Sequence, residues 1–232
     1  MRLDKYLAQA TDYSRKEIKK AIRRAEVLVN DRQADDPAMQ VDEGDEVVLD
    51  GQRIRHHGPR YFMLNKPEGV VSVTKDGRNM TVLDLLADEA NRERLHVAGR
   101  LDKDATGLLL ITDDGEWTHH VISPRRHCDK VYLVQLAEPL EPHYSEKFAQ
   151  GIWLAEEKKR CLPARLEALD DRTARLTLRE GKYHQVKRMF AALGNHVEAL
   201  HRERIGGIVL DAELAPGEYR PLTEEEVASV VS

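Results

Sequence analysis

The chain has 232 residues, of which 41% are hydrophobic and 33% charged, a composition typical of one or two globular domains. No run of eighteen apolar residues occurs and no apolar segment follows Met1–Lys5, so we expect neither a membrane-spanning helix nor a signal peptide. Cys128 and Cys161 are far apart and outside any CxxC pair, which predicts reduced thiols in a cytoplasmic protein.

The net charge of −5 weighs against a nucleic-acid partner, but the charges are unevenly distributed. Residues 1–32 contain nine lysines and arginines against five aspartates and glutamates, whereas acidic residues collect at 35–50 and at 211–226. An acidic chain can therefore still present a basic surface, and the N-terminal segment is where we expect one.

The segment Ser14–Glu17 has the pattern of a capping box, which predicts a helix from here to about Ala25. Its apolar face would hold Ile18, Ala21, Ile22 and Ala25. Six cations share its other side: Arg15, Lys16, Lys19, Lys20, Arg23 and Arg24. Like charges four residues apart repel, so the pattern fits either a solvated helix face or a surface that binds a polyanion.

Short strand-and-turn patterns follow this helix, at Val27–Asn30 and after Gly44-Asp45. Together with Arg2–Leu7 and Ser14-Arg15, they resemble the S4 RNA-binding domain over about residues 1–50. The resemblance implies a small α-plus-β unit whose basic helices bind structured RNA. The side chains that we expect to contact RNA are Arg2, Arg15, Lys16, Lys19 and Arg23.

The stretch Gln52–Pro59 lacks periodicity and contains glycine and proline, which is typical of a linker. We therefore predict an S4-like domain with its linker at 1–57 and a larger domain at 58–232. The adjacent His56 and His57 would point in different directions and have no Cys or His partner at ligand spacing, so we expect no metal there.

The larger domain shows strand patterns without a regular alternation of strands and helices, which predicts an α+β fold with an antiparallel or mixed sheet. In Thr173–Arg179, apolar and polar residues alternate, as in a half-buried antiparallel strand. The other predicted strands are Tyr61–Leu64, Val70–Val73, Gly107–Thr112 and Val131–Leu136. Helices are predicted at about 81–88, 142–150 and 184–193, with a last one capped by Thr223.

Common cofactor and hydrolase motifs are absent: the sequence has no GxxxxGK[ST], GxGxxG, HExxH or GxSxG pattern. Its most unusual segment is a polar stretch with Arg100, Asp102, Asp104 and Thr106 that leads into an apolar strand. Reactive groups often lie on loops anchored to rigid strands. The pattern alone nevertheless favours a charged turn before a strand.

Four ordered motifs of the larger domain resemble those of the pseudouridine synthases. They are Gly99–Asp102 with Thr106–Leu108 and Thr112–Gly115, then Asn65–Gly69, Lys130–Val134 and Glu180–Phe190. The S4-like segment in front, with Val197–Gly207 and Leu214–Arg220 behind, resembles the branch that modifies small-subunit ribosomal RNA. The resemblance thus implies isomerisation of one uridine in 16S rRNA. One departure is Lys182, where arginine is commoner, so we do not assign it an RNA contact.

The same resemblance implies roles for individual residues. Asp102 would be the nucleophile, and Asp104, which spacing alone cannot separate from it, would not. Lys187 would pair with Asp102 and keep it ionised. Tyr132 would stack on the target uracil and take a proton, and Arg100 would hold a phosphate or fill the gap that a flipped base leaves. His184 and Gln185 would position these groups.

The implied reaction needs no nucleotide cofactor and no metal, because no redox change or net hydrolysis occurs. The expected partner is small-subunit ribosomal RNA in an assembling particle, and we expect a monomer. Two alternatives stay open at this point. One is a non-catalytic S4-type RNA-binding or ribosome-assembly factor, and the other is a metal-dependent nuclease built on Asp102, Asp104, Asp113 and Asp114.

Overall fold

The structure, a computed structural model, describes residues 1–11, 13–42, 44–54, 58–155 and 157–231. The chain divides into two compact units, Met1–Gly58 and Pro59–Ser232, each with a hydrophobic core of its own. Among the described helices, none has the length and apolar character needed to cross a membrane.

The first unit packs two helices, α1 (Leu3–Ala10) and α2 (Arg15–Arg23), on a four-stranded antiparallel sheet. The strands are β1 (Val27–Val29), β2 (Arg32–Gln33), β3 (Val47–Leu49) and β4 (Gln52–Ile54), in the order β2-β1-β3-β4. The two helices bury one face each against the sheet, and the resulting core includes Leu3, Leu7, Ile18, Ile22, Val27 and Val47.

The capping box of α2 is confirmed, since Ser14 accepts from the Glu17 amide and Glu17 accepts from the Ser14 amide. The helix ends at Arg23, two residues earlier than predicted: Ala25 is exposed and has a left-handed φ of 62°, which a helix cannot contain. The linker prediction is wrong for Gln52–Ile54, because β3 supplies these residues with hydrogen-bonding partners. The rest of the predicted linker includes His56 and His57, which lie outside the described residues.

The second unit is built on a nine-stranded sheet. Its strands are β5 (Tyr61–Lys66), β6 (His96–Ala98), β7 (Thr106–Thr112), β8 (Lys130–Leu136), β9 (Arg165–Ala168), β10 (Thr173–Leu178), β11 (Val197–Ile205), β12 (Ile208–Val209) and β13 (Tyr219–Pro221). The main order is β13-β5-β7-β11-β8-β10-β9, with β6 beside β7 and β12 beside β11. The β7–β11 pair is parallel and the other described pairs are antiparallel, so β11 joins two antiparallel halves.

Four helices accompany this sheet: α3 (Gly115–Ile122), α4 (Tyr144–Gln150), α5 (Gln185–Ala191) and α6 (Glu224–Ala228). The α+β class is confirmed, as are the alternating burial of β10 and the cap of α6 by Thr223. The strand predicted at Val70–Val73 is wrong, because Val71 pairs locally with Met80 and Val82 through backbone hydrogen bonds and makes only an isolated bridge. The helix predicted at 81–88 is reduced to one 3-10 turn, Asp84–Leu86.

Candidate active site

A cavity of about 630 Å³ lies against the adjacent strands β11, β8 and β10 of the larger sheet. Residues from separate parts of the chain line it: the loop between β6 and β7, the inward side chains of β8 and β11, and the segment that precedes α5. The lining includes Arg100, Asp102, Tyr132, Tyr183, His184 and Arg202. The cavity therefore brings together residues as far apart in the sequence as Val71 and Arg202.

Buried hydrogen-bond donors bind the backbone of the loop that carries Asp102. The guanidinium of Arg202, which is 2% exposed, donates to the carbonyls of Gly99 at 2.7 Å and Leu108 at 2.8 Å. The Ser72 hydroxyl donates to the Leu101 carbonyl at 2.8 Å. Since these donors bind backbone oxygens on both sides of Asp102, the loop has little freedom to move.

Lys66 supports the same loop from the end of β5. Its side chain is fully buried, and its amine donates to the carbonyls of Ala105 at 2.7 Å, Pro67 at 3.0 Å and Lys103 at 3.2 Å. Burial lowers the pKa of Lys66 to about 8, although the nearby carboxylates of Asp104 and Asp102 act in the opposite direction. The amine therefore hydrogen-bonds three backbone carbonyls, while the nearby carboxylates partly offset the cost of its burial.

Sequence reasoning gave no role to Lys66 or Arg202. A signal was present for Lys66, a cation that follows the apolar run Tyr61–Leu64, but not for Arg202, whose neighbours His201, Glu203 and Arg204 are polar. Such a side chain is buried only when it finds polar partners. What the sequence could not provide is the identity of those partners, which are backbone carbonyls of a distant loop.

The Asp102 carboxylate has two basic neighbours. Its side chain is one-quarter exposed, with His184 Nε2 at 3.5 Å from Oδ1 and Lys187 Nζ at 3.9 Å from Oδ2. Lys187 is closer to Asp104, whose two carboxylate oxygens both lie at 2.6 Å from the amine. The expected pairing of Lys187 with Asp102 is therefore long, and Asp104 is the direct hydrogen-bond partner. This bond lowers the pKa of Asp104.

Tyr132 lies on β8, directly opposite Arg202 on β11. The ring is buried and forms part of the cavity wall, and the Arg202 guanidinium carbon lies 5.9 Å from its centroid. This distance allows a cation–π contact that fixes one face of the ring. No residue in the described part of the chain hydrogen-bonds the Tyr132 hydroxyl, which distinguishes this ring from an ordinary core tyrosine with a bonded hydroxyl.

A family model described as RNA pseudouridylate synthase matches residues 60–192, which include Asp102, Tyr132, His184 and Lys187. The chain belongs to the RNA pseudouridylate synthase family. A second model, the S4 domain, matches residues 1–47. Both resemblances inferred from sequence motifs are thus confirmed, and so is the prediction that the protein is an RNA pseudouridine synthase.

Relatives of this RNA pseudouridylate synthase match it over its full length. A protein from Escherichia coli strain K12, named ribosomal small subunit pseudouridine synthase A, is 54% identical over 232 residues and is covered completely, as is this chain. A protein of the same name from Vibrio cholerae is also 54% identical, and the alignment covers 99% of each chain. A solved structure of a pseudouridylate synthase superposes with a TM-score of 0.72 and 46% identity, and the match covers both chains completely.

The geometry of the synthase also separates Asp102 from the acidic residues of the nuclease alternative. Asp113 accepts from the backbone and guanidinium of Arg60, while Asp114 caps α3 and accepts from the Tyr61 hydroxyl. Both therefore have structural partners away from the cavity. Among the described residues, no group of three His, Cys, Asp or Glu side chains could hold a metal ion.

The cations predicted to contact RNA in the first unit are exposed, but their surroundings differ. Arg2 forms a two-pronged pair with Asp4, at 3.0 and 2.8 Å, so its charge is already compensated. In α2, by contrast, no ion pair with a described residue is present for Arg15, Lys16, Lys19 or Arg23. In the second unit, Arg100 is exposed at the cavity rim, as its proposed phosphate contact would require.

Proposed function

We propose that this synthase converts one uridine of 16S ribosomal RNA to pseudouridine, with Asp102 as the nucleophile and no cofactor. The observation that carries the proposal is the Asp102 carboxylate, fixed on an immobilised loop, with His184 at 3.5 Å and Tyr132 in the same cavity. The two relatives described above, whose names specify the ribosomal small subunit and which match over nearly their whole length, support the choice of RNA.

The reaction breaks the bond between N1 of uracil and C1′ of ribose, turns the base, and joins C5 to C1′. A carboxylate can assist by adding to the sugar carbon or by promoting loss of the base through a glycal, and Asp102 serves in either route. Lys187, whose amine lies 3.9 Å from Asp102, places positive charge beside this carboxylate. The loop contacts of Arg202 and Ser72 fix the nucleophile before substrate arrives, which lowers the entropic part of the barrier.

The detached uracil must stay in the cavity while it turns. A uridine inside folded RNA reaches such a site only after it is flipped out of its stack. Tyr132 then stacks on the uracil, and its hydroxyl relays the proton released from C5 to solvent while the freed N1 takes up a proton. Arg202 contacts the other face of the tyrosine ring. Arg100, at the exposed rim, binds a phosphate of the flipped nucleotide or occupies the vacated position.

The first unit supplies affinity for the surrounding RNA. Four cations on one side of α2 have no ion pair within the described chain, and phosphates can neutralise them with release of counterions. We propose that the protein acts as a monomer on the RNA of an assembling small-subunit particle in the cytoplasm, where a structured but still accessible RNA presents its target uridine.

Replacing Asp102 with asparagine tests the assignment of the nucleophile. We expect Asp102→Asn to abolish tritium release from RNA carrying 5-tritiated uridine, while RNA affinity stays within about tenfold because the side chain keeps its size. The matched control is Asp104→Asn, which removes a carboxylate two residues away. Full activity in Asp102→Asn would refute the assignment, and RNA binding by a wild-type protein that releases no tritium would indicate a non-catalytic assembly factor.

The choice of substrate is tested in cells and with purified particles. Pseudouridine mapping of 16S rRNA from a strain that lacks the gene should show one position left as uridine, and the wild-type gene should restore it. Purified protein should modify a partially assembled small-subunit particle faster than naked rRNA. Loss of a pseudouridine elsewhere, with 16S rRNA unchanged, would contradict the proposed substrate.

A further inference from the structure

Two aromatic rings form an exposed stack at the edge of the cavity. The centroids of Tyr183 and His184 are 3.8 Å apart and their planes differ by 19°, so the rings are parallel and in contact. Tyr183 is 71% exposed, which leaves the ring face opposite His184 open to solvent. Both residues line the same cavity as Asp102. Nothing in the mechanism above uses Tyr183.

The stack has a fixed position relative to the nucleophile. His184 adopts a left-handed backbone conformation, with φ 47° and ψ 35°, a region that few residues other than glycine enter and that asparagine, aspartate and histidine tolerate best. The turn is stabilised by Gln185, whose side chain accepts from the Lys182 amide and donates to the buried Glu180 carboxylate. This turn lets His184 lie 3.5 Å from Asp102 while its ring stacks on Tyr183.

The geometry differs from that of the other aromatic contacts in the second unit. In the core, Phe148 and Phe190 are tilted by 48°, and the ring of Tyr144 meets that of Phe190 edge to face. Those rings fill buried space. The Tyr183–His184 pair buries little surface and is parallel, which is the arrangement that continues a stack of nucleobases.

We propose that Tyr183 and His184 form a platform on which an unpaired RNA base beside the target uridine stacks. The inference rests on the proposed function, because it requires an RNA whose uridine enters the cavity. Arg100 on the cavity wall and Lys187, whose amine lies 3.9 Å from Asp102, supply the positive charge that a neighbouring phosphate requires. The open face of Tyr183 would bind any base, since every base has a flat π surface.

The test compares Tyr183→Leu, Tyr183→Phe and the control Trp153→Leu, which removes another exposed aromatic side chain (57% exposed) that does not line the cavity. We expect KM for the RNA substrate to rise about tenfold in Tyr183→Leu with kcat nearly unchanged, because stacking contributes to binding. Tyr183→Phe should behave like wild type, and Trp153→Leu should stay within about twofold. Thermal unfolding checks that all variants are folded.

A KM within twofold of wild type in Tyr183→Leu would overturn the platform, as would an equal effect in Trp153→Leu or a loss confined to kcat. As a second measurement, the tryptophan fluorescence of the Tyr183→Trp variant should be quenched when RNA binds. The quenching should exceed that of the wild-type protein, which has two tryptophans of its own. Absence of additional quenching also overturns the inference. If wild-type protein itself releases no tritium, the proposed function fails, and that result differs from an active wild type with an unchanged Tyr183→Leu.

Discussion

At the residue scale, one amine is shared by two carboxylates. Lys187 donates to both oxygens of Asp104 at 2.6 Å and lies 3.9 Å from Asp102. The Asp104 side chain is 63% exposed, whereas that of Asp102 is 25% exposed and faces the cavity. The closest pair is therefore at the surface, and the weaker contact belongs to the proposed nucleophile. We infer that Asp104 sets the position of Lys187.

Neutralising Asp104 should have a much smaller effect than removing Lys187. In Asp104→Asn the amine can move toward Asp102, so we expect single-turnover rates within about tenfold of wild type and a stability change below about 1 kcal/mol, as for exposed pairs. In Lys187→Met the cation is lost from both carboxylates, and we expect a rate loss of about a hundredfold or more. Equal inactivity of Asp104→Asn and Asp102→Asn would contradict this assignment.

Lys66 gives the fold a pH dependence. Its folded-state pKa of about 8 lies below the value of about 10.4 for an exposed lysine. Between these values the unfolded chain binds a proton that the folded protein does not, so this residue makes the free energy of unfolding increase as pH rises. Relative to Lys66→Met, wild type should gain about 1–2 kcal/mol between pH 7.5 and 9.5. Urea unfolding of both proteins measures the difference, and parallel pH profiles would contradict it.

At the element scale, β7 and β11 can approach each other only because of Gly107. This residue has φ 98° and is paired with Arg202, and a Cβ there would lie 2.8 Å from the Arg202 amide nitrogen. We expect Gly107→Ala to destabilise the protein by at least about 2 kcal/mol and to reduce activity by displacing Arg202. Gly77→Ala is the control, because it meets open space. Urea unfolding and tritium release test both, and equal stability of the two variants would refute the argument.

Helix α2 is the element whose role depends on charge. Reversal of Arg15, Lys19 and Arg23 to glutamate should weaken RNA binding and flatten the dependence of log Kd on log salt, because fewer counterions are released. Filter binding at several salt concentrations measures the slope. Lys19→Glu and Lys147→Glu change the net charge equally and serve as matched single variants, since Lys147 is exposed on α4. An unchanged slope would show that α2 is a solvated helix that does not bind RNA.

At the scale of the whole molecule, the chain consists of two units with separate cores. We predict that residues 59–232 fold alone and keep their kcat on a short RNA that contains the target uridine. Their KM for full-length rRNA should rise, because the α2 cations are absent. Circular dichroism and tritium release on both substrates check this. A fragment that folds but is inactive on the short RNA would show that the first unit contributes to chemistry.

The features that could be predicted from the sequence are those that depend on residues close together in the chain. The capping box at Ser14 and the alternation in β10 are local patterns, so they are visible without a structure. Val70–Val73 has the same local pattern as a strand, but its hydrogen-bonding partners are residues of its own loop. The motifs predicted roles for Asp102, Tyr132 and Lys187. They could not reveal that Lys187 binds Asp104, because that choice depends on how two distant segments meet.

The position of β11 between β7 and β8 determines when during synthesis the enzyme can work. Strands β7 and β8 follow each other in the chain, yet residues 197–205 must be inserted between them before the sheet is continuous. Arg202, which anchors the loop that carries Asp102, arrives with that strand. Contacts between such distant segments slow folding, because the loop-closure entropy is lost before the contacts form. A ribosome must therefore have translated at least as far as residue 205 before the nascent chain can modify RNA.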